Sequence, residues 1–159
     1  MSQVDFELGI DRGGVTASFI RVLIVEDARQ FQEFLSLVLL GRPKLQVIGR
    51  VSDGLEAVCS AEELQPDLIV LDIGLPGLNG IEAARRIREV SPGSRILFVS
   101  QESSADVVQE ALSAGASGYV LKLDAGRELL AAVDSVLRGE QFIGNRFALH
   151  DLAERKTAM

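Results

Sequence analysis

The sequence predicts an α/β fold, a five-stranded parallel sheet doubly wound with helices on both faces, and three observations carry that expectation. Short β-branched runs alternate with amphipathic segments about three turns long, which is the signature of βαβ units and a parallel sheet. The run "DLIVLDI" at 67–73 is almost continuously apolar, as suits a strand covered on both faces. The chain has 159 residues, 47% of them hydrophobic, 25% charged and 5% aromatic, enough for one domain with an aliphatic core. Right-handed crossovers then place helices on both sides of the sheet.

The elements follow in order. "IRVLIV" at 20–25 is the first strand. In "ARQFQEFLSLVLLG" the apolar positions Phe31, Phe34, Leu35, Val38 and Leu39 have helical spacing, and Gly41 and Pro43 stop the helix. "LQVIGRV" at 45–51 is the second strand, and "GLEAVCSAEEL" at 54–64 is the second helix, ended by Pro66. The third strand is followed by the turn "GLPGLNG", after which Asn79 caps "GIEAARRIREV" with Ile81, Ala84, Ile87 and Val90 facing inward. "RILFVS" at 95–100 is the fourth strand. "SADVVQEALSAG" is a helix capped by Ser103 or Ser104 and stopped by Gly115. "SGYVLKL" at 117–123 and "AGRELLAAVDSVLRG" at 125–139 complete the fifth unit. Residues 19–139 thus form the domain. Residues 1–18 are expected to be a flexible extension, and 140–159 a tail with a short helix near 146–155.

Composition narrows the function classes. The net charge of −7, from 23 acids and 16 bases, speaks against broad DNA binding by these residues. Cys59 is the only cysteine, which excludes an internal disulfide and a multi-cysteine zinc site; its place in the second helix suggests a buried small hydrophobe. No stretch has the ~18 apolar residues of a membrane span, and the first residues lack a signal-peptide pattern, so a cytoplasmic location is expected. The only histidine, His150, is read as a surface residue of the tail.

In open parallel sheets, sites form at the carboxyl ends of the strands. The first strand ends in Glu26–Asp27, the third in Asp72, the fourth in Ser100 and the fifth in Lys122. Each has an ordinary use: Asp27 or Ser100 could cap a helix, Asp72 could form a turn, and Lys122 could be solvated. Their joint placement in successive units favours a common site. Three carboxylates brought together need a cation, and all-oxygen ligation selects a hard ion such as Mg2+. An ionised aspartate can act as a nucleophile toward phosphorus without a histidine base. Lys122 supplies a compact positive charge, and Ser100 a hydrogen bond to a phosphoryl oxygen.

The set "IVED", "IVLDIGLPGLNGIEAARRIR", "ILFVS" and "ASGYVLK" resembles the receiver domain of two-component response regulators, over about 21–139, and is most similar to the NarL/FixJ-type group. The resemblance implies a flavodoxin-like (βα)5 sandwich with strand order 2-1-3-4-5. It implies Asp72 as phosphoacceptor, and Mg2+ held by Glu26, Asp27, Asp72 and the backbone carbonyl of Gly74. Ser100 and Lys122 would contact the phosphoryl group, and Tyr119 would be the aromatic switch residue that turns inward as Ser100 moves. The phosphoryl donor would be a histidine kinase or a histidine phosphotransfer protein, and beyond its own phosphorylation and dephosphorylation no enzyme activity is implied. Leu123 stands where many receivers have a proline in a cis bond, and Gly74 and Glu102 occupy positions that tune phosphate lifetime.

Regulators of this group usually continue into a helix-turn-helix domain. Two readings follow, a stand-alone receiver or the receiver part of a DNA-binding regulator, and "LHDLAERKTAM" slightly favours the first. A receiver-like interaction module that is never phosphorylated is the rival, disfavoured by the complete set of five strand-end residues. A phosphatase of the haloacid dehalogenase type wants a second acid two residues after its aspartate, where this chain has Gly74. The apolar stripe Leu129, Leu130, Val133, Val136 and Leu137 is mostly core, with a second copy of the chain as a candidate partner.

Overall fold

A computed structural model describes residues 18–147. Five βα units run in order: β1 (Ile20–Val25), α1 (Arg29–Leu39), β2 (Leu45–Val51), α2 (Gly54–Leu64), β3 (Leu68–Leu71), α3 (Gly80–Val90), β4 (Arg95–Ser100), α4 (Ala105–Ser113), β5 (Gly118–Leu121) and α5 (Ala125–Leu137). A 3-10 turn at Lys122–Asp124 joins β5 to α5, and β6 (Phe142–Ile143) follows.

The sheet is parallel throughout, in the order β2-β1-β3-β4-β5-β6. Alternate residues of each strand feed two cores. Val22, Ile24, Leu68, Val70, Leu97, Val99 and Val120 pack against Leu35 and Leu39 of α1 and Leu129, Ala132, Val133 and Val136 of α5. Leu23, Val25, Ile69, Leu71, Ile96, Phe98 and Tyr119 face the other way, onto α2, α3 and α4. Burial on both faces explains why the β3 segment shows no polar alternation. The strand order reverses between β1 and β3, so the crevice for a site opens where Glu26 and Asp72 stand.

The structure corrects the expected sheet in one respect: it has six strands, not five. The first five keep the order 2-1-3-4-5, and β6 adds to the β5 edge through Gly118–Phe142 and Tyr119–Ile143 register pairs. Two residues carry no readable alternation, which is why this strand is silent in the sequence. Residues 142–147 therefore pack on the domain that was expected to end at 139. Residues 145–147 are helical, while His150 and the rest of the expected 146–155 helix lie outside the described residues, as do residues 1–17.

Cys59 is also corrected, because it is exposed. The buried line of α2 is Gly54, Ala57 and Ala61, and Cys59 stands two residues from both alanines, on the far side of the helix. Lys122 belongs to the 3-10 turn and not to β5. In place of Asp27, α1 starts at Ala28 without a side-chain cap.

Candidate functional site

The carboxyl edge of the sheet gathers Asp27, Asp72, Ser100 and Lys122 at one crevice, with Glu26 buried against Lys122. β1 delivers Glu26, which is 1% exposed, and β3 delivers Asp72, which is 5% exposed. Glu26 Oε2 accepts a hydrogen bond from the Ala28 amide at 2.8 Å, so this carboxylate serves the start of α1 in place of a cap. Asp27, left free of that task, is exposed beside the crevice. Carboxylate oxygens of Glu26, Asp27 and Asp72 all lie within 4.8 Å of one another.

The turn after Asp72 is held tightly from below. The Gly80 amide donates to the Ile73 carbonyl at 2.8 Å, and the Gly54 amide to the Pro76 carbonyl at 3.1 Å. A Cβ on Gly80 would stand 1.9 Å from the Asp72 carbonyl oxygen, and one on Gly54 1.9 Å from the Leu78 oxygen. Both positions need glycine for close approach. Asn79 then caps α3, its side chain accepting from the Ile81 and Glu82 amides at 2.9 and 3.0 Å. Gly74, at the outer bend, is exposed and lines the crevice.

Lys122 closes the arrangement. Its Nζ lies 3.0 Å from Asp72 Oδ2 and 2.9 Å from Glu26 Oε1, and it stands over the Phe31 ring at 4.8 Å from the centroid. Asp72 Oδ1 accepts from the Ile73 amide at 2.7 Å. Burial opposes the ammonium charge of Lys122, yet the two carboxylates outweigh it and hold its pKa above the ordinary lysine value. Burial raises the pKa of Glu26, with Asp72 adding to the shift and Lys122 and the Ala28 amide working against it.

Three carboxylates face one ammonium, leaving an excess of negative charge among oxygen donors. Glu26 Oε1 is buried, and although it lies at ion-pair distance from Lys122 it has no aligned hydrogen bond. Three clustered carboxylates that share one ammonium form an all-oxygen set that fits a small hard cation, with Mg2+ the natural choice.

Ser100, 1% exposed, ends β4 beside the same crevice; its Oγ accepts from the Glu102 amide at a long 3.4 Å. Tyr119 is fully buried, and its hydroxyl donates to the Glu102 carbonyl at 2.8 Å. Burial pushes its phenol up to about 12. The structure therefore holds this ring in the inward position. The crevice, about 780 Å3, is lined by Asp27, Asp72, Gly74, Ser100, Glu102 and Lys122, with Arg85 of α3 and Glu110 of α4 at its rim. Every strand-end residue singled out from the sequence reaches it except Glu26, which lies beneath. Phe31 under Lys122 was not legible as a site residue, because its helical spacing marks it only as core. Leu123 is 76% exposed, and no cis peptide bond occurs among the described residues.

Comparison with known proteins identifies the family and agrees with the fold. The profile of the response regulator receiver domain matches residues 22–134. The chain is 33% identical over 129 residues to the transcriptional regulatory protein LiaR of Bacillus subtilis, covering 81% of this chain and 61% of that protein. It is 34% identical over 122 residues to the nitrate/nitrite response regulator protein NarL of Escherichia coli, covering 77% and 56% respectively. The chain thus spans less than two thirds of the length of these relatives. Among solved structures, a LuxR-family two-component response regulator from Aurantimonas superposes with a TM-score of 0.82 at 33% identity, over 87% of this chain and 99% of that one. The response regulator domain of Thermotoga maritima CheB gives 0.70 at 35% identity, over 76% and 97%. On sequence and fold together, this chain belongs to the response regulator receiver domains of two-component signal transduction, with NarL- and LuxR-type regulators as its relatives.

Proposed function

We propose that this chain is a phosphorylation-controlled switch whose acceptor is Asp72, served by a histidine kinase or a histidine phosphotransfer protein. The observation that carries the reading is the pairing of Lys122 Nζ with Asp72 Oδ2 at 3.0 Å, at the mouth of a crevice wide enough for a donor side chain. Glu26, Asp27, Asp72 and the Gly74 carbonyl would hold Mg2+, which when bound neutralises charge between the carboxylates and the incoming phosphoryl group.

The residues divide the remaining work. An Asp72 oxygen forms a bond to phosphorus as the phosphorus–nitrogen bond of a phosphohistidine breaks, and the donor imidazole departs with the bonding pair. The Ile73 amide fixes the rotation of the carboxylate by holding Oδ1 at 2.7 Å. Lys122, already close to Asp72, balances the acyl phosphate, which carries about two negative charges at neutral pH where the carboxylate carried one. The Ser100 hydroxyl, held only by a long contact, is available to donate to a phosphoryl oxygen. Tyr119 reports that movement through Glu102, whose amide faces Ser100 and whose carbonyl accepts from the tyrosine. A partner that prefers the resulting surface shifts the population toward it.

Phosphoryl uptake from a small phosphodonor, with and without Mg2+, tests the reading. Wild type takes up Mg2+-dependent label and Asp72→Asn takes up none. Undiminished labelling of the variant contradicts it. A second reading, favoured by relatives named as transcriptional regulators, makes this the receiver part of a DNA-binding regulator. The net charge of −7 favours DNA contact by a separate module over contact by these residues. The length of the native reading frame decides between the two.

A further inference from the structure

Past α5 the chain turns back onto the domain, and it does so beside the switch tyrosine. The Phe142 amide donates to the Ser117 carbonyl at 3.1 Å, and the Gly144 amide to the carbonyl of Tyr119 itself at 2.9 Å. The Asn145 amide donates to Glu128 Oε2 at 3.2 Å, and Arg146 Nε to Asp124 Oδ2 at 2.8 Å. Asp124 and Glu128, at the start of α5, are 2% and 8% exposed, so the segment is anchored on buried carboxylates. Phe147, 9% exposed, ends the segment edge-on against the Tyr119 ring, with centroids 5.4 Å apart.

We propose that residues 142–147 form a latch over Tyr119, so that docking of this segment and the inward position of the tyrosine are one coupled event. The inference rests on the reading of Tyr119 as the switch residue. Among the described residues the ring has two aromatic neighbours, Phe98 at 6.1 Å and Phe147. Phe98 belongs to the middle of the sheet and is fully buried. Phe147 stands on a short edge segment. Of these two covers, only the second can yield with the five inner strands of the sheet left paired. The latch is also built to release. Its strand has two residues, and Glu128 Oε1 is buried without a hydrogen-bond partner among the described residues, a cost that undocking relieves. Coupling of this kind is reciprocal: a phosphoryl group that holds Tyr119 inward tightens the latch, and a loosened latch weakens the phosphorylated state by the same factor. Whatever the C-terminal segment carries or contacts thereby senses Asp72.

Tyr119 is the sole tyrosine and the chain has no tryptophan, so tyrosine fluorescence reports this one ring. The full chain is compared with Phe147→Ala and Arg146→Ala, using acrylamide quenching of the tyrosine and the affinity for beryllofluoride with Mg2+. Circular dichroism verifies that each variant is folded, and Arg146→Ala leaves the aromatic packing residues in place. Both variants are expected to expose the tyrosine to quencher and to weaken beryllofluoride binding about 5-fold or more. Unchanged quenching in both variants, or exposure with unchanged beryllofluoride affinity, overturns the latch. A wild-type chain that binds no beryllofluoride contradicts the acceptor reading instead, and the tyrosine readout then decides whether the segment covers the ring.

Discussion

Lys122 does two jobs at once, and they pull in opposite directions. It balances Glu26 and Asp72 when the site holds no other cation, and it stands where a phosphoryl group would need a positive charge. Lys122→Met should separate these roles. Breaking a buried ion pair by removing one partner costs about 3–5 kcal/mol. Lys122 is partly solvated, so a loss nearer ~2 kcal/mol is expected, seen as a lower melting temperature in Mg2+-free buffer. Added Mg2+ should restore much of that loss and bind more tightly than to wild type, since a repelling ammonium has gone. Thermal scans with and without Mg2+ check both signs, and a variant indifferent to Mg2+ contradicts the shared-cation account. At this scale the sequence was informative because chemistry and position coincided: Asp72 is an acid in an otherwise apolar run. Asp27 was harder, because an acid after a strand suits a helix cap equally well. The structure frees it by letting Glu26 accept the Ala28 amide.

At the scale of elements, β1, β2, β4, α2 and α3 have the bounds that periodicity and capping residues indicate, because each carries its own start and stop. Asn79 caps α3 as its position suggests. Elements defined by tertiary contact are illegible in the same terms. β6 and the residues after it have no period; they are held by Asp124, Glu128 and Tyr119, each far from them in sequence. Cys59 shows the limit of face assignment, since two residues along a helix carry an apolar side chain from core to solvent. The Asp124 anchor makes a pH prediction. Its hydrogen bond to Arg146 lowers the Asp124 pKa despite the cost of burial, with the Arg146 and Arg127 charges helping. A depressed acid stabilises the fold above its unfolded pKa of about 3.9, and that contribution is lost as pH falls through the folded value. The melting-temperature gap between wild type and Asp124→Asn should therefore be constant from neutral pH down to about 5 and close below about 4. A gap that persists unchanged into acid contradicts the ion-pair account.

Over the whole molecule, the switch point between β1 and β3 sets where the acids meet, and under the proposed function the signal would leave through β4 and β5. Ser100 and Tyr119 lie on these neighbouring strands and meet through Glu102, so a change at Asp72 has a short route to the far edge of the sheet. There the C-terminal segment is the next body in contact. The central claim in this account is chemical: the acyl phosphate forms on Asp72 and on no other of the clustered acids. Borohydride reduction of the phosphorylated chain, followed by peptide mass mapping, tests it most directly, because reduction converts a phosphorylated aspartate to homoserine. The account predicts homoserine at position 72 alone, in a Mg2+-dependent yield. Homoserine at another position, or a labelled chain with Asp72 intact, would contradict it.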